Sequence, residues 1–390
     1  MYKIQTLNKI SYKGLEQFPR DDYEIASEIV NPDAVVLRSF NMHDMDIPAS
    51  VKAIARAGAG VNNIPVDKCT ENGQVVFNTP GANANGVKEL VLTGIFMSSR
   101  KLVPGVLWAK GLIGEGDKVP KLVEKGKSNF AGPEIRGKRL GVIGLGAIGV
   151  MVANDAIALG MEVTGYDPFI SVEAAWGLSS SVKRARGLES LLAESDYITI
   201  HVPLNEKTKG MINKERFAIM KKGVRLLNFS RGGLVNNNDL IEALEENTVS
   251  TYVTDFPDEQ LLKQENVIPF PHLGASTPES EDNCAVMAAN QVRDYLEYGN
   301  IKNSVNFPEC QMDYSGTARL IIANKNIPNM VGQITSLLAT EKINIADMIN
   351  KHKGELAYNI IDIDGKVGGD ITGKIEAIDG VIMARLLDPR

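Results

Sequence analysis

Only four histidines, at positions 43, 201, 272 and 352, can carry a proton near neutral pH with an ordinary pKa. His272 stands out among them. It lies in Val267-Ile-Pro-Phe-Pro-His-Leu-Gly-Ala-Ser-Thr277, after an apolar strand pattern and before a helix start, where a rigid scaffold can hold it over a cleft. Alone, such a residue is more often a turn histidine bonded to backbone. Arg231, in Leu227-Asn-Phe-Ser-Arg-Gly-Gly-Leu-Val235, ends another buried-strand pattern, where packing gives an arginine no reason to be. Its planar fork suits a carboxylate and can polarise an adjacent carbonyl. Glu259 follows a third strand, in Phe256-Pro-Asp-Glu259. Beside His272 it would orient the imidazole and raise its pKa for proton exchange with an alcohol or carbonyl oxygen; a solvated loop charge is the alternative.

A second constellation is Arg139-Leu-Gly-Val-Ile-Gly144-Leu-Gly146-Ala-Ile-Gly149. This G-x-G-x-x-G follows a strand pattern and opens an apolar helix. Gly144 permits the tight turn, Gly146 lets backbone approach a pyrophosphate, and Gly149 lets the helix pack on the sheet, with unpaired helix N–H groups facing the anion. An isolated triplet would be no more than a turn. Here Asp167 ends the next strand pattern about 20 residues on, the spacing for a carboxylate that binds a ribose 2′-hydroxyl. It disfavours a 2′-phosphate, so NAD is the expected cofactor, although Lys183 or Arg184 could soften that preference.

The elements that must position these groups form three regions. In the first, short Val- and Ile-rich runs (3–6, 34–38, 51–55, 75–78) alternate with connecting segments, followed by a helix over 86–99 and a Gly- and Pro-containing arm over 102–134. In the second, strand patterns at 139–143, 162–166, 197–201, 225–229 and 251–254 predict a doubly wound parallel sheet with ligands at the carboxyl ends of its strands. Thr277 and Pro278 then start a helix that Gly299 ends. The third region, from 317, reads strand, helix, strand, strand, helix, strand, a βαββαβ ferredoxin-like order, set off by a linker over 311–316.

At 390 residues the chain predicts two or three α/β domains, and its 42 basic and 48 acidic residues, formal charge -6, give no footprint for nucleic acid or anionic lipid. The apolar run 140–153 contains four glycines and is too short for a membrane helix. The first ten residues lack a secretory signal pattern, and three scattered cysteines suggest neither disulfides nor a thiolate metal site, so a cytoplasmic chain without metal is expected.

Ala55-Arg-Ala-Gly-Ala-Gly-Val-Asn-Asn63, Asn78-Thr-Pro-Gly81, the Gly144 fingerprint, His201-Val-Pro-Leu204, residues 228–235 and Pro271-His-Leu-Gly-Ala-Ser-Thr277 together resemble the D-isomer-specific 2-hydroxyacid dehydrogenase family. Within it, the chain resembles the D-3-phosphoglycerate dehydrogenases. The resemblance implies a Rossmann-like NAD domain (99–274) inserted into a flavodoxin-like substrate domain (1–98 and 275–308), with hinge closure on the substrate, and a regulatory ACT domain (317–390). It implies that Arg231, Glu259 and His272 form the active site. Cofactor contacts fall on Gly146, Ile148 and Asp167, and on the nicotinamide side on Pro203 and Asp255, the latter alternatively a strand-end cap. Here Thr254-Asp255-Phe256 stands where the family usually has Asp-Val-Phe.

Arg38, Ser39, Gly58 and Gly60 match substrate positions, with Arg38 the better candidate for a phosphate and Arg56 the weaker. The tail matches serine-binding positions at Asn326 and Asn344, while Asn324 and Asn329 replace a common histidine and glycine; assembly alone is the alternative role. The expected function is NAD-dependent oxidation of D-3-phosphoglycerate by a homodimer or homotetramer, with L-serine as a possible effector. Glyoxylate or hydroxypyruvate reduction is the nearest alternative, and an NAD-sensing regulator the alternative of another class.

Overall fold

The structure, a computed structural model, describes residues 1–365 and 370–388. Its first sheet holds β1 (Tyr2–Leu7), β2 (Tyr23–Ala26), β3 (Ala34–Leu37), β4 (Ala53–Arg56) and β5 (Val75–Phe77). The strands are parallel in the order β2-β1-β3-β4-β5, the flavodoxin-like arrangement. All four residues of β3 are buried, because both faces of the sheet are covered and an unbroken Ala-Val-Val-Leu run suits that position.

The second sheet holds β6 (Arg139–Ile143), β7 (Glu162–Tyr166), β8 (Lys183–Arg184), β9 (Tyr197–Ile200), β10 (Val224–Asn228), β11 (Val249–Thr254) and β12 (Val267–Pro269). It too is parallel, in the order β12-β11-β10-β9-β6-β7-β8. The chain goes outward from β6 through β7 and β8, then returns to β9 on the other side. The topological switch point therefore lies between β6 and β9, where such sheets take their ligands.

The third sheet holds β13 (Ala318–Lys325), β14 (Asn344–Lys353), β15 (Leu356–Asp364) and β16 (Val381–Leu387), antiparallel in the order β14-β15-β13-β16. Helices Met330–Thr340 and Ile371–Glu376 cover one face, and Ile334, Leu338, Ile371 and Ile375 pack there with Leu320, Ile322, Ile361 and Ile363. This is the βαββαβ order read from the sequence.

Residue contacts divide the chain into Met1–Ala82 with Glu281–Arg390, and Asn83–Ser280. The division differs from the expected boundaries near 98 and 275. Helix Ala84–Ser99 folds with the second sheet because Val87, Val91 and Ile95 bury in one cluster with Leu227, Phe229 and Val253. A Cβ on Gly94 would sit 3.1 Å from Leu227 and Phe229, so the helix approaches the sheet as closely as a glycine allows. The arm after it forms helices Leu102–Lys110 and Val119–Gly126. Among the described residues no single helix is long and apolar enough to cross a membrane.

The third sheet is not set apart by its linker. On the face opposite its helices, Ile321, Ala323, Tyr358, Ile360 and Leu387 join the cluster that contains Ile4, Phe77, Tyr295, Leu296 and Phe307. Tyr358 donates to the Gly299 carbonyl at 2.6 Å, and Arg319 to the Tyr298 and Met312 carbonyls, each at 3.0 Å.

Candidate active site at the carboxyl edge of the second sheet

At the switch point, Gly144 has φ +92°, and a Cβ there would lie 2.5 Å from the His201 carbonyl oxygen. A Cβ on Gly149 would lie 1.9 Å from the Gly144 carbonyl oxygen. These two glycines are demanded by the protein itself. Gly146 differs: it caps helix Ala147–Ala158 with φ -75°, and a Cβ there would meet nothing within 4 Å. The open space at this helix N-terminus is where a pyrophosphate can be cradled, and the donor chemistry fits NAD. We expect Gly149→Ala to destabilise the fold by about 3 kcal/mol. Gly146→Ala should change stability by less than about 0.5 kcal/mol while weakening NADH about tenfold or more, read by fluorescence titration.

Asp167 follows β7 and accepts from the backbone N–H of Leu145 at 2.8 Å and of Phe169 at 2.8 Å. It thus fixes the glycine turn. Ile148 is half-buried on the first turn of the helix, and Pro203 is exposed beyond β9, its carbonyl taking the Thr208 hydroxyl at 2.6 Å. His201, just before it, pairs Nε2 with the Thr199 hydroxyl at 2.9 Å, and its Nδ1 is buried without a partner. Burial pushes this imidazole down to about 3, against about 6.5 in an unfolded chain. The folded state therefore binds fewer protons between these values, so the stabilisation is complete above about pH 6.5 and is lost as pH falls toward 3. Between pH 7 and 5 the parent chain should lose about 2 kcal/mol more than His201→Gln in urea titrations.

Arg231 lies beyond β10 with its guanidinium exposed and one N–H on the Ser230 carbonyl at 2.7 Å. Its turn is held by buried Asn228, whose Nδ2 donates to the Arg231 carbonyl at 2.9 Å and whose Oδ1 accepts from Ser230 N–H at 3.1 Å. The Ser230 hydroxyl reaches the Val202 carbonyl at 2.6 Å, tying this turn to the one after β9. The sequence analysis uses Asn228 and Ser230 only as part of a motif and gives neither a role, although an asparagine closing a buried strand is the available signal.

His272 follows β12 in the left-handed region, φ +54°, with its exposed ring 4.8 Å from the Phe256 ring centroid. Phe256 also lies beneath the Arg231 turn, its Cβ 3.6 Å from where a Cβ on Gly232 would be. One aromatic side chain therefore abuts both the arginine turn and the histidine. Asp255, only 2% exposed, accepts from the N–H groups of Leu273 at 2.8 Å and Gly274 at 3.0 Å. It clamps the histidine loop rather than presenting a free carboxylate.

The expected Glu259–His272 pair is not formed. Asp258 caps a short helix, Glu259–Leu262, by accepting from Leu261 N–H at 2.9 Å, which places Glu259 at the first helical position. Its side chain is 85% exposed and bonds Lys263, one turn on, at 2.9 Å.

In the other unit, Arg38 pairs with Glu281 at 2.6 Å, and Ser39 beside it is exposed. Arg56 turns back under its own loop, donating to the Gly60 carbonyl and, at 2.9 Å, to that of Arg38. A Cβ on Gly58 or Gly60 would lie 3.0 or 3.3 Å from this guanidinium. Arg56 thus shapes the Gly58–Gly60 loop. Asn326 donates to the Gly354 carbonyl at 3.2 Å and Asn344 to Asp364 at 3.2 Å, both exposed.

The NAD-binding domain of D-isomer specific 2-hydroxyacid dehydrogenases matches residues 111–274, which include the glycine turn, Arg231 and His272. D-3-phosphoglycerate dehydrogenase of Escherichia coli K12 is 30% identical over 402 residues, covering 98% of this chain and 94% of that protein. The chain belongs to the D-isomer-specific 2-hydroxyacid dehydrogenase family. Its second sheet is the family's NAD-binding domain. D-3-phosphoglycerate dehydrogenase of Methanocaldococcus jannaschii is 34% identical over 349 residues, and there this chain spans 63% of the relative's length. The NAD+-bound 3-phosphoglycerate dehydrogenase structure from Entamoeba histolytica superposes with TM-score 0.59 at 27% identity, covering 78% of this chain and 98% of that one.

Proposed function

We propose that this protein oxidises D-3-phosphoglycerate to 3-phosphohydroxypyruvate with NAD, the first step of phosphorylated L-serine formation. The observation that carries the reading is the convergence of the glycine turn, Arg231 and His272 on one carboxyl edge of a parallel sheet. Bound nicotinamide would accept the hydride from C2. Arg231 binds the substrate carboxylate and C2 oxygen, and His272 takes the hydroxyl proton. Glu259 serves as the imidazole's partner once substrate is bound. An exposed i,i+4 ion pair such as Glu259–Lys263 is worth about 0.3–0.5 kcal/mol, so its release costs little, and catalytic hydrogen bonds often form only in the substrate complex. Arg38 supplies the phosphate contact by exchanging its exposed pair with Glu281 for a stronger doubly charged partner.

Asn344 opens the ten-residue β14, whereas Asn326, just after β13, bonds to Gly354 beyond the far end of β14, so the two lie about a strand length apart, roughly 30 Å, too far to share a small ligand within one copy. Strand β14 is at the sheet edge, and antiparallel pairing with a second β14 would bring Asn344 of one copy beside Asn326 of the other. An L-serine site across a homodimer or homotetramer interface follows.

The test is NADH formation with D-3-phosphoglycerate, D-glycerate and D-lactate at alkaline pH, with and without L-serine. Turnover confined to the phosphorylated acid and inhibited by serine is expected. Equal turnover of an unphosphorylated acid would move the assignment to a glyoxylate or hydroxypyruvate reductase.

A further inference from the structure

The carboxylate expected to orient His272 is turned away from it, since Glu259 pairs with Lys263. Among the described residues no group hydrogen-bonds to the His272 imidazole, and the aromatic ring that meets it is Phe256, with centroids 4.8 Å apart and planes at 54°. That separation and tilt are those of a favourable aromatic pair. An imidazole that takes a proton from a substrate hydroxyl while a partner steadies its other side needs both nitrogens available. A hydrogen bond from the scaffold would occupy one of them, whereas a phenyl ring restrains the side chain and leaves both.

Phe256 is itself held by buried groups. Its N–H donates to the Thr254 hydroxyl at 3.1 Å, and Thr254 is 0% exposed. The Thr254 carbonyl takes the N–H of Phe270, on the segment that leads into His272, at 2.8 Å. Between them Asp255 gives its own N–H to the Asn228 carbonyl at 3.3 Å and holds the Leu273 and Gly274 N–H groups with its carboxylate. Adjacent residues at the end of β11 thus hold the backbone of the histidine loop and meet its ring. The loop needs such support, because His272 has φ +54°, a region that non-glycine residues enter only where their surroundings keep them there. All of these groups belong to the Asn83–Ser280 unit.

We propose that Phe256 is a positioning residue for the proton transfer: with its Cβ beneath the Arg231 turn, its ring fixes the orientation of the His272 imidazole. The inference rests on the role given to His272 above, and not on which D-2-hydroxy acid is the substrate.

The test is the rate of the first turnover, by stopped flow, in the full chain and in Phe256→Leu, Phe256→Tyr, His272→Ala and Phe256→Leu/His272→Ala. Each uses NAD and whichever of D-3-phosphoglycerate, D-glycerate and D-lactate the parent oxidises fastest. Leucine keeps the Cβ beneath the Arg231 turn and discards the ring. Phe256→Leu should lower the rate about 10- to 100-fold, since a shift of about 1 Å in a reacting group costs up to about 10²-fold. The KM for the acid and the affinity for NADH should stay within about twofold, because the loss falls on the reacting geometry and not on binding. Phe256→Tyr, which retains the ring, should stay within about threefold of the parent rate. In the His272→Ala background, Phe256→Leu should cost less than about twofold more, because groups that act as a unit are not additive. A merely structural role would lower the rate by the same factor in both backgrounds. A parent-like rate in Phe256→Leu, equal losses in the leucine and tyrosine variants, or additive losses in the double variant overturns the proposal. A parent-like rate in His272→Ala is a separate failure, which removes the role of His272 and the proposal with it.

Discussion

Replacing His272 by alanine is expected to lower kcat about 10²- to 10⁴-fold, the usual contribution of a positioned acid–base group, with NADH affinity unchanged. The loop is held independently of the imidazole, since Asp255 grips the Leu273 and Gly274 N–H groups. The loss should therefore fall on the chemical step rather than on folding. The partner proposed for it is tested by Glu259→Gln. That variant should lower kcat about tenfold or more. An unchanged kcat would leave Glu259 as a surface charge paired with Lys263. Stopped-flow measurement of the first turnover separates these effects from product release.

The second large effect is expected in the third sheet. Arg319 and Asp362 are both 0% exposed and joined by two hydrogen bonds, at 2.6 and 3.0 Å. Burial alone would raise the Asp362 carboxyl, but the Arg319 hydrogen bonds and charge, with the Ser315 hydrogen bonds, bring it below the usual range. Arg319→Leu strands that carboxylate and should destabilise the chain by about 3–5 kcal/mol, whereas the double replacement Arg319→Leu/Asp362→Leu should recover most of the loss. The sign of the pH dependence follows. In the parent chain the stabilisation is present above the unfolded carboxylate value near 3.9 and is lost as pH falls through the lower folded value. In Arg319→Leu the stranded group prefers its proton, so the deficit should be larger at pH 7 than at pH 4. Urea titrations at both pH values check this.

The glycine turn, Arg231 and His272 were legible in the sequence because each combines an unusual residue type with the end of an apolar strand. β2 was missed, since Tyr-Glu-Ile-Ala buries only Tyr23 fully and carries no apolar run. The place of Glu259 turns on Asp258 as a helix cap and Lys263 four residues on, local preferences that a motif match does not weigh. The shared core of the third sheet left a trace that went unread. A ferredoxin-like sheet with one free face should alternate apolar and polar residues, yet six consecutive residues of β13, from Arg319 to Asn324, are all buried, as are seven in β15.

That shared core bears on whether the tail can be separated from the rest of the chain. A module that has been appended by a flexible tether can be removed, exchanged or moved between proteins without harm to its host. Here Tyr358, Ile360 and Leu387 are buried in one cluster with Tyr295, Leu296 and Phe307. The host's surface is complete only with its tail in place, and removing either part would expose apolar surface on the other to water.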